Sequence, residues 1–406
     1  MTKYITRTLE LVLQKAAKQF PAVVLTGPRQ AGKTTLLKHL FFKTHRYVSL
    51  EPPDVRLAAA SDPRGFIELY QPPVIFDEIQ YAPDLLFYIK EKIDANRDQY
   101  GQYILTGSQN LLLLQQMTES LAGRVAMLRL LPLSYIEMID KPQDSLIWTI
   151  GKENSSRPKL TISNFWKIVL RGSYPELSEH PEKDATLWQS SYIQTYLERD
   201  IRSLRHIGDL TQFQIFLRSV AIRSGQLFQI SDVAKELGIA VNTIKAWLAI
   251  LEATYQIIIL RPYFANINKR LVKTPKVYFT DVGTLCYLTG LRDIEHLASG
   301  PMAGAVVETF VFSEIFKRLS NQGLDPQMYF WRTSSGVEVD LLIEEQGRLI
   351  PIEIKASSTP KSNMADGIVS LENDLKQKMD PGYVIHLGDM VLPLTKNVTA
   401  LPIAQL

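Results

Sequence analysis

Gly27-Pro28-Arg29-Gln30-Ala31-Gly32-Lys33-Thr34 constrains this 406-residue chain more than any other stretch. Two glycines frame four residues, and a lysine and a hydroxyl residue follow at once, the spacing GxxxxGK[ST]. Such a loop needs a strand before it and a helix after it, so that backbone N–H groups and a helix N-terminus face one anion. Ala22 to Leu25 is a short apolar run with β-branched residues, and Thr34 to Leu40 follows as a helix. Gly27, Pro28, Arg29, Gln30, Ala31, Gly32, Lys33, Thr34 and Thr35 are therefore read as phosphate-binding residues. Lys33 would reach the β/γ-phosphates and Thr34 would offer its hydroxyl to Mg²⁺. The plain alternative is a Gly-rich turn carrying a surface lysine.

Val74-Ile75-Phe76-Asp77-Glu78 supplies the complement: an apolar strand that ends in two acids. Asp77 would hold the Mg²⁺ shell, and Glu78 would orient and deprotonate the attacking water. A glutamate directly after the aspartate argues for ATP hydrolysis over small-molecule phosphorylation. Tyr103 to Thr106 is a further strand, and Ser108 or Gln109 beyond it could sense the γ-phosphate. Arg124, in Leu121-Ala122-Gly123-Arg124, could neutralise transition-state charge in cis or from a neighbouring copy. A turn closing a strand and a surface arginine are the plain alternatives for these last two.

Strands at Ala22 to Leu25, Arg46 to Leu50, Pro73 to Phe76, Gln102 to Thr106 and Val125 to Leu131 alternate with helical segments. That pattern predicts an α/β fold with a largely parallel sheet over residues 1–140. Residues 141–160 are polar and rich in Pro, Gly and Ser, the composition of a linker or insertion. Residues 161–290 read as a helical unit ending in hairpin material, and 291–406 as a second α/β unit. A net charge of +3 is too small to argue for nucleic acid by itself. One cysteine, Cys286, excludes an intrachain disulfide and a Cys-rich zinc site. No apolar run reaches the ~18 residues of a membrane span, and Arg7, Glu10 and Lys15 interrupt any leader-type apolar core. The expectation is a soluble, cytoplasmic protein with no membrane partner.

Within 161–290, Ser231 to Ile239 reads as a short helix and tight turn, and Ala240 to Leu251 as a second helix. Val233, Ala234, Leu237, Ile239, Ile244 and Leu248 fit the buried face of a helix-turn-helix. Lys245 would lie on the exposed recognition face. Arg261, Lys269, Arg270, Lys273 and Lys276 follow with no acid between them, the composition of a DNA-contacting wing. A winged helix used only for protein contacts is the competing reading. Farther on, Asp340 lies on one strand, and Glu353 and Lys355 lie two residues apart on the next, hence on one face. Asp340 and Glu353 could ligate a divalent cation such as Mg²⁺ or Mn²⁺, and Glu308 from the preceding helix could be a further ligand or position a water. Lys355 could stabilise a metal-bound hydroxide or the scissile phosphate.

These motifs together resemble a prokaryotic AAA-type P-loop ATPase family with a C-terminal domain of unknown function. Tyr47-Val48-Ser49-Leu50-Glu51, Asp62-Pro63, Arg171-Gly172-Ser173-Tyr174-Pro175-Glu176 and Tyr196-Leu197-Glu198-Arg199-Asp200-Ile201 carry the likeness. The D…ExK pattern of Asp340, Glu353 and Lys355 resembles that of the restriction-endonuclease-like fold. The resemblance implies an ATPase coupled to a DNA-directed winged-helix and nuclease-like module. It also implies self-association of the kind that AAA relatives show. The alternative is a nucleotide-dependent regulator or scaffold whose C-terminal domains bind protein.

Overall fold

A computed structural model describes residues 4–107, 121–143, 146, 148, 160–201, 209–263, 273–375 and 379–406. The N-terminal unit contains α1 (Leu9–Ala17), β1 (Ala22–Thr26), α2 (Lys33–Phe41), β2 (Arg46–Ser49), α3 (Pro53–Ser61) and α4 (Pro63–Leu69). It continues with β3 (Val74–Asp77), α5 (Leu85–Ala95), β4 (Tyr103–Gly107), β5 (Val125–Arg129) and α6 (Tyr135–Met138). The five strands form one parallel sheet in the order β2-β3-β4-β1-β5. β1 shows why the sheet needs cover on both sides. Ala22 and Val24 enter an apolar cluster with α3, α4 and α5, while Val23 and Leu25 enter another with α1 and α2. Strands buried on both faces read as continuous apolar runs, as these do.

Next come α7 (Ile162–Arg171), α8 (Pro175–Glu179), α9 (Ala185–Tyr196), α10 (Leu210–Ile222), α11 (Ile230–Leu237) and α12 (Val241–Ala253). The hairpin β6 (Ile257–Pro262) and β7 (Lys276–Phe279) follows. The turn between α11 and α12 is closed by Gly238 at φ 65°, where Ile239 N–H donates to the Ala234 carbonyl. A left-handed residue at that position favours glycine. Ser224 and Leu227, between α10 and α11, bridge to β7. A helix, an extended segment, two helices and a hairpin thus follow one another along this part of the chain.

The last elements are α13 (Val282–Thr289), α14 (Ile294–Ser299), α15 (Ala303–Asn321), β8 (Met328–Arg332), β9 (Glu338–Glu345) and β10 (Arg348–Lys355). α16 (Asp366–Asp374), β11 (Gly382–His386), β12 (Leu392–Pro393) and β13 (Val398–Pro402) complete the chain. β8, β9 and β10 form an antiparallel meander, and β11 runs parallel to β10 after the α16 crossover. The β6–β7 hairpin is part of this same sheet, whose order is β12-β13-β11-β10-β9-β8-β6-β7. One apolar cluster runs from α7 through α12 into α15 and the β10 residues Ile352 and Ile354. Phe165 of α7 meets Phe310 of α15 edge to face, ring centroids 5.1 Å apart. The middle and C-terminal parts thus share a core. Among the described residues, no helix is long and apolar enough to cross a membrane.

Candidate active site

The loop between β1 and α2 is held by backbone geometry that few side chains tolerate. Gly27 has φ 145°, and a Cβ there would lie 2.0 Å from the Leu130 carbonyl oxygen. Gly32 caps α2 at φ 92°, and Gln30 also takes a positive φ of 63°. A non-glycine residue in that region is costly, and such strain collects where a loop must present its N–H groups inward. Lys33 is buried, and its Nζ donates to the carbonyls of Gly27 and Pro28 at 2.9 and 3.0 Å. Thr35 faces solvent one position past the magnesium-type hydroxyl of Thr34.

Asp77 reaches the loop from the end of β3. Thr34 Oγ1 donates to Asp77 Oδ2 at 3.0 Å, Tyr47 OH donates to the same oxygen at 2.5 Å, and Thr106 Oγ1 donates to Oδ1. Burial and the Asp77 carboxylate hold the Tyr47 phenol well above its usual range, so it stays protonated and donating. Glu78 follows in a left-handed conformation, φ 59°, half-buried, with its carboxylate accepting from Gln80 and its N–H donating to Thr106 Oγ1 at 3.2 Å. The structure therefore brings Lys33, Thr34, Asp77 and Glu78 to one edge of the sheet. A hydroxyl and a carboxylate side by side are the hard oxygen donors that Mg²⁺ takes, so these residues fit that ion. Ser108 and Gln109 lie outside the described residues.

Arg124 is placed elsewhere. It immediately precedes β5, and its carbonyl accepts from Ala22 N–H at the start of β1. The loop leaves the other end of β1, about 17 Å away at ~3.3 Å per strand residue. The guanidinium is paired with Asp94 at 2.7 and 3.0 Å. Of the alternatives for Arg124, action in cis is ruled out by this position, at the end of β1 away from the loop.

Sequence reading missed Arg7. Its side chain is buried and donates to the Ala31 carbonyl in the loop (2.9 Å), to the Leu131 carbonyl (2.7 Å) and to Glu137 (3.2 Å). Glu137 also accepts from Thr8 N–H, Ser134 N–H and Asn321 of α15. One turn earlier on α15, Lys317 Nζ donates to the Leu133 carbonyl, Ser173 Oγ and Glu314, and Glu314 accepts from Tyr135 N–H. Ser173 in turn donates to Asp281. A buried polar network thus leads from the loop into the rest of the chain. No local signal marked Arg7, because its partners lie 24 to 130 residues away.

The C-terminal carboxylates do converge, but around a side chain the sequence reading put on the wing surface. Lys276 of β7 is 3% exposed. Its Nζ lies 2.9 Å from Glu308, 2.5 Å from Glu338 and 3.9 Å from Asp340. Tyr278, two residues on, donates to Glu308 at 2.6 Å. Asp340 Oδ2 accepts from Ile354 N–H at 2.8 Å, and Lys355 pairs with Glu353. Burial pushes Glu308 up to about 7 and Glu353 up to about 8, with Asp340 adding to both, and burial raises Asp340 as well. Burial opposes the charge on Lys276, yet Tyr278, Glu308, Asp340 and Glu338 overcome it and raise its pKa. Glu308, expected as a metal ligand, is instead engaged by Lys276 and Tyr278. The set of Glu308, Asp340 and Glu353 does not fit a divalent ion in this arrangement. Of the expected DNA contacts, Lys245, Arg261 and Lys273 are exposed, and Lys269 and Arg270 lie outside the described residues.

Sheet order, loop and acid pair define an AAA-type P-loop ATPase domain, here joined to a helical middle and a C-terminal mixed sheet. Residues 19–139 match the family model described as AAA domain, residues 162–295 that of domain of unknown function DUF8612, and residues 303–406 that of domain of unknown function DUF4143. The chain is 30% identical over 397 residues to the uncharacterized protein Rv2008c of Mycobacterium tuberculosis, spanning 97% of this chain and 82% of that protein, and equally to Mb2031c of Mycobacterium bovis. It belongs to the same family as these proteins. The uncharacterized protein MJ1544 of Methanocaldococcus jannaschii is 21% identical over 375 residues, 87% of this chain and 79% of that one. Among solved structures, the Walker-type ATPase PABY2304 of Pyrococcus abyssi is similar at TM-score 0.45 and 15% identity, covering 70% of this chain and 96% of that one.

Proposed function

We propose that the protein hydrolyses ATP with Mg²⁺ at the Lys33–Thr34 and Asp77–Glu78 site, and that the nucleotide state is passed to a DNA-directed C-terminal half. The observation that carries the first part is the approach of Thr34 to Asp77 at 3.0 Å, beside a buried Lys33. Mg²⁺, when bound there, supplies charge neutralisation of the β- and γ-phosphates. Lys33 binds the phosphates, Thr34 and Asp77 hold the ion's oxygen shell, and Glu78 accepts the proton of the attacking water at its carboxylate. Arg124 acts, in this reading, on the nucleotide of a neighbouring copy. Exposed Lys245, Arg261 and Lys273, on the helix-turn-helix and the hairpin after it, support a sequence-tolerant contact with DNA phosphates.

Lys276 among the C-terminal carboxylates favours a second reading of that half: a nuclease-like fold used for regulation or protein contact. DNA-stimulated ATP turnover separates the two. Lys33→Ala should weaken nucleotide binding. Glu78→Gln should keep binding and lower turnover by ~10²–10⁴, the usual worth of a positioned base. Equal turnover in wild type and Glu78→Gln defeats the assignment of Glu78.

A further inference from the structure

Glu308, Glu338, Asp340 and Glu353 meet at one place in the C-terminal sheet, brought there by α15, β9 and β10. Four carboxyl groups so close need a counter-charge. In a nuclease-type site that charge is a divalent ion. Here β7 carries an ammonium into the group, and β7 cannot readily withdraw it. Lys276 is laddered to Leu260 on one side and bridged to Leu227 on the other. Its side chain is 4% exposed, so the ammonium sits out of water among the carboxylates.

Each carboxylate is also engaged by another group. Glu308 Oε1 takes both the Lys276 ammonium and the Tyr278 hydroxyl. Glu338 bridges Lys276 and Arg332, the latter at 2.7 Å. Asp340 Oδ2 is held by the Ile354 amide, and its Oδ1 faces Lys276. Glu353 Oε1 takes Lys355, while Glu353 Oε2 is buried with no hydrogen-bond partner among the described residues. With the Lys276 ammonium 2.5–3.9 Å from three of these carboxylates and the Lys355 ammonium paired with the fourth, the group already holds the positive charge that a hard divalent ion would bring.

We propose that the Lys276 ammonium is the resident cation of this cluster, standing where a nuclease-type site would hold its metal. The cluster binds neither Mg²⁺ nor Mn²⁺ while β7 is in place. Its charge balance instead fastens the β6–β7 hairpin to the C-terminal sheet. The inference concerns the C-terminal half alone and does not depend on ATP hydrolysis.

The test is Mn²⁺ titration of the full, nucleotide-free chain, with free Mn²⁺ read by electron paramagnetic resonance. Wild type should show no site tighter than about 1 mM, the weak end of protein–cation binding, that Asp340→Asn removes. Lys276→Met should gain one site at least ~10-fold tighter, and Lys276→Met with Asp340→Asn should lose it again. The proposal is overturned if wild type binds Mn²⁺ at a site lost in Asp340→Asn, or if a folded Lys276→Met gains nothing. Should Lys276→Met fail to fold, the wild-type titration decides, since absence of bound Mn²⁺ there is the direct prediction.

Discussion

Replacing Arg7 by Met tests whether the buried network supports the nucleotide loop. The guanidinium satisfies two carbonyls, Ala31 at 2.9 Å and Leu131 at 2.7 Å, and pairs with Glu137 whose side chain is fully buried. Removing one member of a buried ion pair costs about 3–5 kcal/mol, because the partner's charge is stranded. Glu137 keeps the Thr8 and Ser134 amides and Asn321, which places the loss at the lower end, about 3 kcal/mol. At ~2–4 °C per kcal/mol, calorimetry should record a Tm lower by roughly 6–12 °C. The Ala31 carbonyl loses its anchor too. One hydrogen bond's worth of loop order, ~0.5–1.5 kcal/mol, should weaken ATP binding by about 2–12-fold. Adding Glu137→Gln removes the stranded charge and should recover a substantial part of the Tm. The reasoning fails if Arg7→Met melts with wild type, or if the double variant melts no higher than the single one.

Two more outcomes follow from single sites. His386 is buried, its Nδ1 accepts Gly388 N–H at 3.0 Å, and its Nε2 therefore donates to the Met390 carbonyl at 3.0 Å. Burial holds this ring below its ordinary 6.5, so stability is full above that pH and falls as the pH drops through the folded value. The slope is at most ~1.4 kcal/mol per pH unit, and denaturant midpoints at pH 7.5 and 5.0 should differ less in His386→Asn than in wild type. Lys245→Ala and Lys273→Ala should each lower the salt slope of log DNA affinity by ~0.9 if each lysine meets a phosphate. Unchanged affinity and slope would remove DNA from this face.

What could be read from the sequence was what is local. The loop, the acid pair and the strands of the parallel sheet announce themselves within ten residues, by spacing and by apolar runs. Lys276 shows the limit. Along the chain it closes a basic stretch, and only the pairing of β7 into a sheet whose acids lie 32 to 64 residues onward turns it inward. Arg124 was read from its short string alone, yet which end of the strands it occupies is a property of strand direction. β12, β13 and the helices α13 and α14 went unread, because short elements with few periodic positions carry little pattern.

α15 gives the chain an inheritance problem. By sequence it opens a unit that could be exchanged, since the C-terminal family match begins at residue 303, the first residue of the helix. Yet its last turns complete the ATPase half: Asn321 and Lys317 serve Glu137 and the Leu133 carbonyl, while Glu308 near its start serves the carboxylate cluster. A recombination event that cut at residue 303 would take from the upstream half the donors that Asn321 and Lys317 bring to Glu137 and the Leu133 carbonyl. The two halves must therefore be passed on, and change, together. A substitution on one face of this helix will be felt first by the neighbours of the other.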